Sequence, residues 1–268
     1  MLTCASHAAI GVFDSGVGGL SIAAAIRQIL PHENIIYVAD SANAPYGGKP
    51  EQVVLQRCQT IVEFLMAQEV KLIVVACNTA TLTCIAKLRA LYPIEFVGVE
   101  PGIKPALNVS QTGTIGVLAT HNTIKSQQYQ QLVARLKTQN TVLSQACHGL
   151  VEKIEAGEFD SSATQMLIKQ YVLPLITQGA DQIVLGCTHY GFLSRQIRGI
   201  AGENAQLVNT SEAIARQTLA VLTRNEMLNS SQQQGQTMLF SSRCNPDFLA
   251  VSKLLWPNEI QQAHEFPH

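Results

Sequence analysis

The 268-residue sequence predicts an α/β fold with doubly wound, mostly parallel sheets. Short β-branched runs alternate with longer amphipathic stretches, and this alternation is typical of α/β chains. Several runs are apolar at consecutive positions, as expected for parallel strands that helices cover on both faces. The segments IGVFDSGVGG (10–19) and IGVLATHNTI (115–124) share Ile-Gly-Val and then turn polar. This weak internal repeat indicates two α/β halves of similar layout.

The elements are expected in a regular order along the chain. Strands are predicted where short runs rich in Val, Ile and Leu occur, at 9–13, 34–39, 72–76, 95–99, 114–119, 182–186 and 205–209. Helices are predicted over the longer amphipathic stretches, at 20–30, 51–67, 79–91, 123–137, 161–177 and 211–223. The stretch NSSQQQGQT (229–237) is of low complexity and is expected to form an exposed loop.

Composition restricts the function. The formal net charge is -1, so no basic field indicates nucleic acid as the main partner. No apolar run approaches the roughly 18–20 residues that a membrane-spanning helix needs. The N-terminal segment MLTCASHAAIGVFD lacks the basic start of a secretion signal, and we expect a cytoplasmic protein. The length suits one large domain or two ordinary ones.

Seven cysteines are scattered along the chain without a CxxC pair. An odd number in a chain without a signal favours reduced thiols over disulfides, and the spacing favours no structural zinc site. Cys58 and Cys84 fall on predicted helices, where a thiol is usually a small buried apolar group. Cys77 in VVACNTAT (74–81) and Cys187 in VLGCTHYG (184–191) each follow a predicted strand. Ligands of open α/β sheets bind at such strand ends.

The two strand-end cysteines indicate a specific chemistry. N–H groups at the start of a helix favour a thiolate and bind a carboxylate. Two similar thiols on opposite walls of one crevice suit a nearly symmetric reaction. Racemisation is such a reaction, because one base removes a proton and a conjugate acid returns one to the other face. A cysteine thiol has an ordinary pKa of about 8.5 and can serve as the base or as the conjugate acid.

A glycine-rich turn comes after the first predicted strand, in FDSGVGGL (13–20). Asp40 closes the next strand, where a dinucleotide-binding fold would place its ribose-binding acid. The spacing contradicts that interpretation, because the third glycine counted from Gly16 would fall on Ser21. The turn therefore does not predict a dinucleotide site.

Five segments together resemble the glutamate racemase family: DSGVGGL (14–20), APYGGK (44–49), VVACNTAT (74–81), GVEPG (98–102) and LGCTHY (185–190). The resemblance implies a cofactor-independent cytoplasmic enzyme that interconverts L- and D-glutamate and supplies D-glutamate for peptidoglycan. It implies two pseudo-symmetric α/β domains with the active site in the cleft between them. We place the first domain at residues 1–99 plus 210–268 and the second at 100–209.

The resemblance also assigns roles at matching positions. Cys77 would deprotonate D-glutamate and Cys187 the L-enantiomer, with Asp14 assisting the first thiol and His189 the second. A further assisting acid is expected in EKIEAGEF (152–159), where the Glu-Ala-Gly spacing favours Glu155 over Glu152. The expected substrate-contacting residues are Asp14, Ser15, Tyr46, Gly47, Asn78, Thr79, Thr120, Thr188 and His189. Tyr46 could alternatively serve packing alone.

Three alternatives stay open. The same two-thiol chemistry would suit aspartate or another acidic amino acid. A purely binding role is the second, since some relatives interact with DNA gyrase, although the near-neutral charge and the two intact cysteines disfavour it. Metal binding by Cys77, Cys187 and His189 is the third, because thiolate and imidazole suit zinc. We expect neither a metal, nor a nucleic-acid partner, nor a membrane.

Some features of the sequence differ from the family pattern or leave a question open. Asn43-Ala44, Gly191-Phe192 and Asn209 stand where many members carry other residues. The chain begins shortly before its first strand, which argues against control by a nucleotide-sugar activator. A homodimer is one assembly that the sequence leaves open.

Overall fold

The computed structural model describes residues 6–136, 140–203, 205–257 and 259–266. Within them the strands are β1 (Ile10–Asp14), β2 (Ile35–Ala39), β3 (Leu72–Val75), β4 (Phe96–Gly98), β5 (Thr114–Ala119), β6 (Thr141–Ala146), β7 (Gln182–Gly186), β8 (Gln206–Val208), β9 (Thr237–Ser241) and β10 (His264–Glu265). The α-helices are α1 (Leu20–Ile29), α2 (Glu51–Ala67), α3 (Asn78–Leu91), α4 (Ile103–Val109), α5 (His121–Lys125), α6 (Gln127–Leu136), α7 (Leu150–Glu155), α8 (Ser162–Thr177), α9 (Ser194–Ala201), α10 (Ser211–Arg224) and α11 (Pro246–Leu255).

The strands form two parallel sheets. Sheet A has the order β10-β9-β2-β1-β3-β4, and sheet B has the order β6-β5-β7-β8. All strand pairs of both sheets are parallel. The order β2-β1-β3-β4 within sheet A is the order of sheet B, with β5 corresponding to β1 and β7 to β3. This confirms the predicted α/β class and the two similar halves. The domain boundaries themselves remain predictions.

Helices cover both faces of sheet A because its strands are apolar on both sides. Ile10 and Val12 point to a core shared with α1, whereas Phe13 points to a core shared with α2 and α3. The first of these cores continues into the second half, where it includes Leu118 and Leu185. The two sheets are thus joined through one continuous apolar core. None of the described helices is long and apolar enough to cross a bilayer.

The structure corrects several element predictions. The strands β6, β9 and β10 and the helices α4, α7, α9 and α11 were not expected. β6 carries polar residues at the edge of sheet B, and only one of its six residues is buried, so it lacks the apolar run used to find strands. The predicted helix at 123–137 is two helices, because Ser126 adopts an extended backbone (ψ 141°) between α5 and α6. Its predicted last residue lies outside the described residues.

The polar stretch at 229–237 forms a loop, except that Thr237 begins β9. Its residues are exposed or half-buried, as predicted. The loop is nevertheless fixed at its start, because the Asn229 amide N–H donates to Glu33 Oε1 (2.8 Å) and its side chain donates to the His32 carbonyl (2.8 Å).

Candidate active site

The carboxyl ends of four central strands meet at one place. Ser15 follows β1 and Cys77 begins the turn after β3, while Thr120 follows β5 and Cys187 follows β7. Because the two sheets share one strand order, Cys77 and Cys187 occupy equivalent positions, and so do Ser15 and Thr120. In open parallel sheets, ligands bind in the crevice at the carboxyl ends of the strands, at the point where the strand order reverses.

These strand ends open onto one buried cavity. It is lined by Ser15, Pro45, Tyr46, Gly47, Cys77, Asn78, Thr79, Thr120, Val151, Cys187, Thr188 and His189. The space available to the centre of a water molecule is about 10 Å³, close to the minimum that one water requires. Eight of the nine predicted substrate-contacting residues line it. The ninth, Asp14, is fully buried next to Ser15.

A hydrogen-bonded chain connects the first thiol to a carboxylate. Cys77 lies at the N-cap of α3, where its sulfur accepts from the Ala80 amide at 3.5 Å. The thiol contacts Ser15 Oγ at 3.9 Å, and Ser15 Oγ donates to Asp14 Oδ1 at 3.0 Å. Burial, reinforced by the nearby Asp14 charge, raises the pKa of the Cys77 thiol. Burial likewise raises the pKa of Asp14, although the His189 charge and hydrogen bonds from Thr188, Gly16 and Ser15 oppose that rise.

The second thiol has a corresponding chain. Cys187 Sγ lies 3.8 Å from His189 Nδ1, and His189 Nε2 lies 2.6 Å from Glu155 Oε1. Burial alone would lower the pKa of His189. Its contacts with Cys187 and Glu155, together with the Asp14 charge, outweigh burial and raise that pKa well above the ordinary value. These contacts favour the protonated form of the imidazole beside Cys187.

Each carboxylate is held by the opposite half of the molecule. Thr188, after β7, donates its hydroxyl proton to Asp14 Oδ2 at 2.7 Å. Glu155, at the end of α7, accepts from the Val17 amide at 2.7 Å and from Ser41 Oγ at 3.2 Å. The position of each acid therefore depends in part on the packing of the two halves.

A cluster of hydroxyls seals another part of the cleft. Thr79 Oγ1 lies 2.9 Å from Thr120 Oγ1 and 3.3 Å from Thr123 Oγ1. Asn122 donates to the carbonyls of Tyr46 (2.9 Å) and Lys49 (2.6 Å). These bonds hold the turn after β5 against the 46–48 turn of the first half.

Gly47 is required for this approach. A Cβ on Gly47 would lie 2.6 Å from Thr120 Cβ, which is closer than real side chains come. A Cβ on Gly48, the next residue, would lie in open space. The Gly-Gly pair therefore combines one position that needs glycine for close packing with one that does not.

The hydroxyl of Tyr46 is engaged away from the cavity. It donates to Asp40 Oδ2 at 2.7 Å, and Arg57 makes two further bonds to the same carboxylate, at 2.9 and 3.0 Å. Although burial opposes it, these bonds, led by the one from Arg57, lower the pKa of Asp40. Tyr46 thus contributes its buried ring and backbone to the cavity wall, and Asp40 is a structural anion of the first half.

The structure separates the two glutamates that the sequence left open. Glu152 is exposed, whereas Glu155 reaches His189. Sequence reasoning missed Pro45 and Val151, which line the cavity, and Val17, which binds Glu155 through its backbone. Apolar side chains and backbone amides carry no chemical signature in a sequence.

Within the described part of the chain, no group of three or more His, Cys, Asp or Glu side chains is arranged to hold a metal ion. Six cysteines are described, and all are free thiols: Cys58, Cys77, Cys84, Cys147, Cys187 and Cys244. Both thiols of the cavity are thus available for proton transfer.

Comparison with known proteins identifies the family of this chain. The family model of Asp/Glu/hydantoin racemases matches residues 20–218. The chain is 47% identical over 246 residues to the glutamate racemase of Herpetosiphon aurantiacus, covering 92% of this chain and 97% of that one. The crystal structure of glutamate racemase isoform RacE1 from Bacillus anthracis superposes with a TM-score of 0.87, at 32% identity and 98% coverage of both chains. That of the Francisella tularensis glutamate racemase, in complex with D-glutamate, has a TM-score of 0.86 at 28% identity, again covering 98% of both chains.

Proposed function

Because the chain belongs to the Asp/Glu/hydantoin racemase family, we propose that it interconverts L- and D-glutamate. One observation supports this above all. Cys77 and Cys187 occupy equivalent strand ends of the two halves and line the same buried cavity. An amino acid held there would have one thiol on each side of its α-carbon.

The proposed reaction is a two-base proton transfer. With L-glutamate bound, the Cys187 thiolate removes the α-proton, and the Cys77 thiol delivers its own proton to the opposite face, giving D-glutamate. The sulfurs have then exchanged protonation states, so the reverse reaction begins with the Cys77 thiolate. The stereochemical assignment is taken from the resemblance to the family. No bound cofactor is needed in this scheme.

The two hydrogen-bonded chains would tune the thiols. Protonated His189, held by Glu155, favours the thiolate of Cys187 by charge attraction. Asp14 and Ser15 serve Cys77, whose raised pKa keeps it protonated and ready to act as the acid. The charge that develops on the α-carboxylate would be stabilised by donors in the wall, namely Asn78, Thr79, Thr120 and Thr188.

Deuterium exchange tests this proposal directly. The purified protein, without added pyridoxal phosphate, should incorporate deuterium at the α-carbon of L- and D-glutamate in heavy water and equalise the two enantiomers. Activity that requires pyridoxal phosphate would contradict the proposal. Deuterium exchange of aspartate but not of glutamate would agree with the two-thiol mechanism and would show that the substrate is aspartate.

The biological setting is part of the proposal. We infer that D-glutamate made by this enzyme supplies peptidoglycan synthesis in the cytoplasm, and a homodimer is the assembly to be tested. Relatives named glutamate racemase support the activity. Light scattering of the purified protein with and without glutamate would test the dimer.

A further inference from the structure

A second cavity, the vestibule, borders the active site. It is lined by Ser41, Ala44, Pro45, Val151, Glu152, Glu155, Ala156 and Arg243, and the space for water centres in it is about 190 Å³. Pro45 and Val151 also line the active-site cavity. These two side chains therefore form the partition between a cavity of about one water and a much larger one.

The position of the vestibule makes it a suitable entrance. Its walls come from both halves, since Ser41 and Pro45 precede α2 whereas Val151 and Glu155 lie on α7. The hydroxyl cluster around Thr120 and the bonds from Asn122 close the cleft elsewhere. Movement of the Val151 side chain would join the two cavities, and Val151 lies outside the turns that those bonds connect.

Charge in the vestibule is unevenly distributed. Its acids are Glu152, which is exposed, and Glu155, which is already bonded to His189, Val17 and Ser41. Arg243 is the cationic residue of the lining, is exposed, and makes no ion pair with any described residue. Its side-chain charge is therefore available to a ligand.

We propose that glutamate enters through the vestibule and that Arg243 attracts the carboxylates of the incoming substrate. This inference rests on the proposed function. Glutamate carries two carboxylates and one ammonium group, and the carboxylates of Glu152 and Glu155 at the entrance would repel it. A free guanidinium at that point offsets the repulsion and raises the local concentration of the anion.

Kinetics of Arg243→Gln test the proposal, with Arg198→Gln as the matched control. Arg198 is an exposed arginine on α9 that lines neither cavity. At about 10 mM ionic strength, Arg243→Gln should lower kcat/KM about three- to tenfold, mostly through KM, because one unscreened charge has been removed. Arg243→Lys should keep most of the wild-type value. Glu152→Gln, which removes a repelling charge, should raise kcat/KM.

Salt dependence supplies a readout that a structural role would not alter. Wild-type kcat/KM should fall as ionic strength rises, and the Arg243→Gln enzyme should show a weaker dependence. The inference is wrong if wild-type kcat/KM is indifferent to salt, or if Arg243→Gln and Arg198→Gln behave alike. With either result, the proposed function stands as long as the wild-type enzyme racemises glutamate. A wild-type protein without racemase activity would contradict the proposed function itself.

Discussion

Glu155 Oε1 lies 2.6 Å from His189 Nε2 and also accepts the Val17 amide of the opposite half at 2.7 Å. The same carboxylate oxygen thus serves the imidazole beside Cys187 and the contact between the halves. Glu155 is one of the groups that raise the pKa of His189, and the Val17 contact helps to hold its carboxylate in place.

Glu155→Gln should alter the pH dependence of racemisation. Without the carboxylate, the pKa of His189 falls, so the imidazole loses its proton at a lower pH and stabilises the Cys187 thiolate less. We expect kcat from L-glutamate at neutral pH to fall by about 10², with the alkaline limb of the profile moved to lower pH. Glu158→Gln is the control, since Glu158 pairs with Lys153 near the surface. Equal pH profiles for the two variants would contradict the role of Glu155.

Cys77→Ser and Cys187→Ser should each nearly abolish racemisation, because a hydroxyl is a far weaker acid than a thiol. Each variant keeps one thiol that can begin proton removal. A glutamate analogue with a leaving group on the β-carbon needs no second proton transfer, since loss of the α-proton expels that group.

Each variant should therefore eliminate from one enantiomer of the analogue, Cys187→Ser from the D form and Cys77→Ser from the L form. Release of the leaving group is the measurement. Equal action of both variants on both enantiomers would exclude the two-base mechanism, whereas reversed preferences would exclude only the stereochemical assignment.

Gly47→Ala should impair closure of the cleft. The new Cβ would lie 2.6 Å from Thr120 Cβ, so either the 46–48 turn or the turn after β5 must move. We expect kcat/KM to fall at least about tenfold, because small displacements at a site cost large factors in rate. Gly48→Ala is the neighbouring control, with open space at its Cβ position, and should retain activity. Loss of activity in both variants would show that the turn's flexibility matters and not its packing.

Asp14→Asn should stabilise the protein while it inactivates the enzyme. The pKa of Asp14 is raised in the folded state. The protonated Asp14 therefore stabilises the fold at low pH, and this stabilisation is lost as the pH rises through the pKa of Asp14 in the folded protein. At neutral pH the buried ion costs free energy that a neutral amide avoids. We expect Tm to rise by about 2–4 °C at pH 7, as for a gain of about 1 kcal/mol, and by less near pH 4.

Asp181→Asn provides the opposite case in the same thermal-unfolding assay. Burial alone would raise the pKa of Asp181, but hydrogen bonds from Ser110, Thr112 and Gln111 outweigh burial and lower it. The ionised carboxylate therefore stabilises the fold at pH values above the pKa that Asp181 has in the unfolded chain. This variant should lower Tm at pH 7. A fall in Tm for Asp14→Asn as well would show that its carboxylate stabilises the fold despite its burial.

The strand ends and the residues immediately after them can be located from sequence alone. Apolar runs bounded by small polar residues placed Ser15, Cys77, Thr120 and Cys187 correctly, because a parallel strand buried on both faces leaves a local signature. The recurrence of Ile-Gly-Val likewise predicted two halves, and the common strand order of the two sheets agrees with it. β6 escaped prediction because an edge strand with polar residues has no such signature.

The groups that meet across the two halves are set by tertiary structure. Both Glu152 and Glu155 lie on α7, but Glu152 is exposed, whereas Glu155 contacts His189 of its own half and accepts the Val17 amide of the first half. Thr188 and Asp14 are far apart in sequence and come within 2.7 Å only when the two halves pack together. The pattern of apolar and polar residues along a segment indicates how that segment is buried within its own half. The contacts that complete this site depend on the relative placement of two halves, which no local pattern encodes.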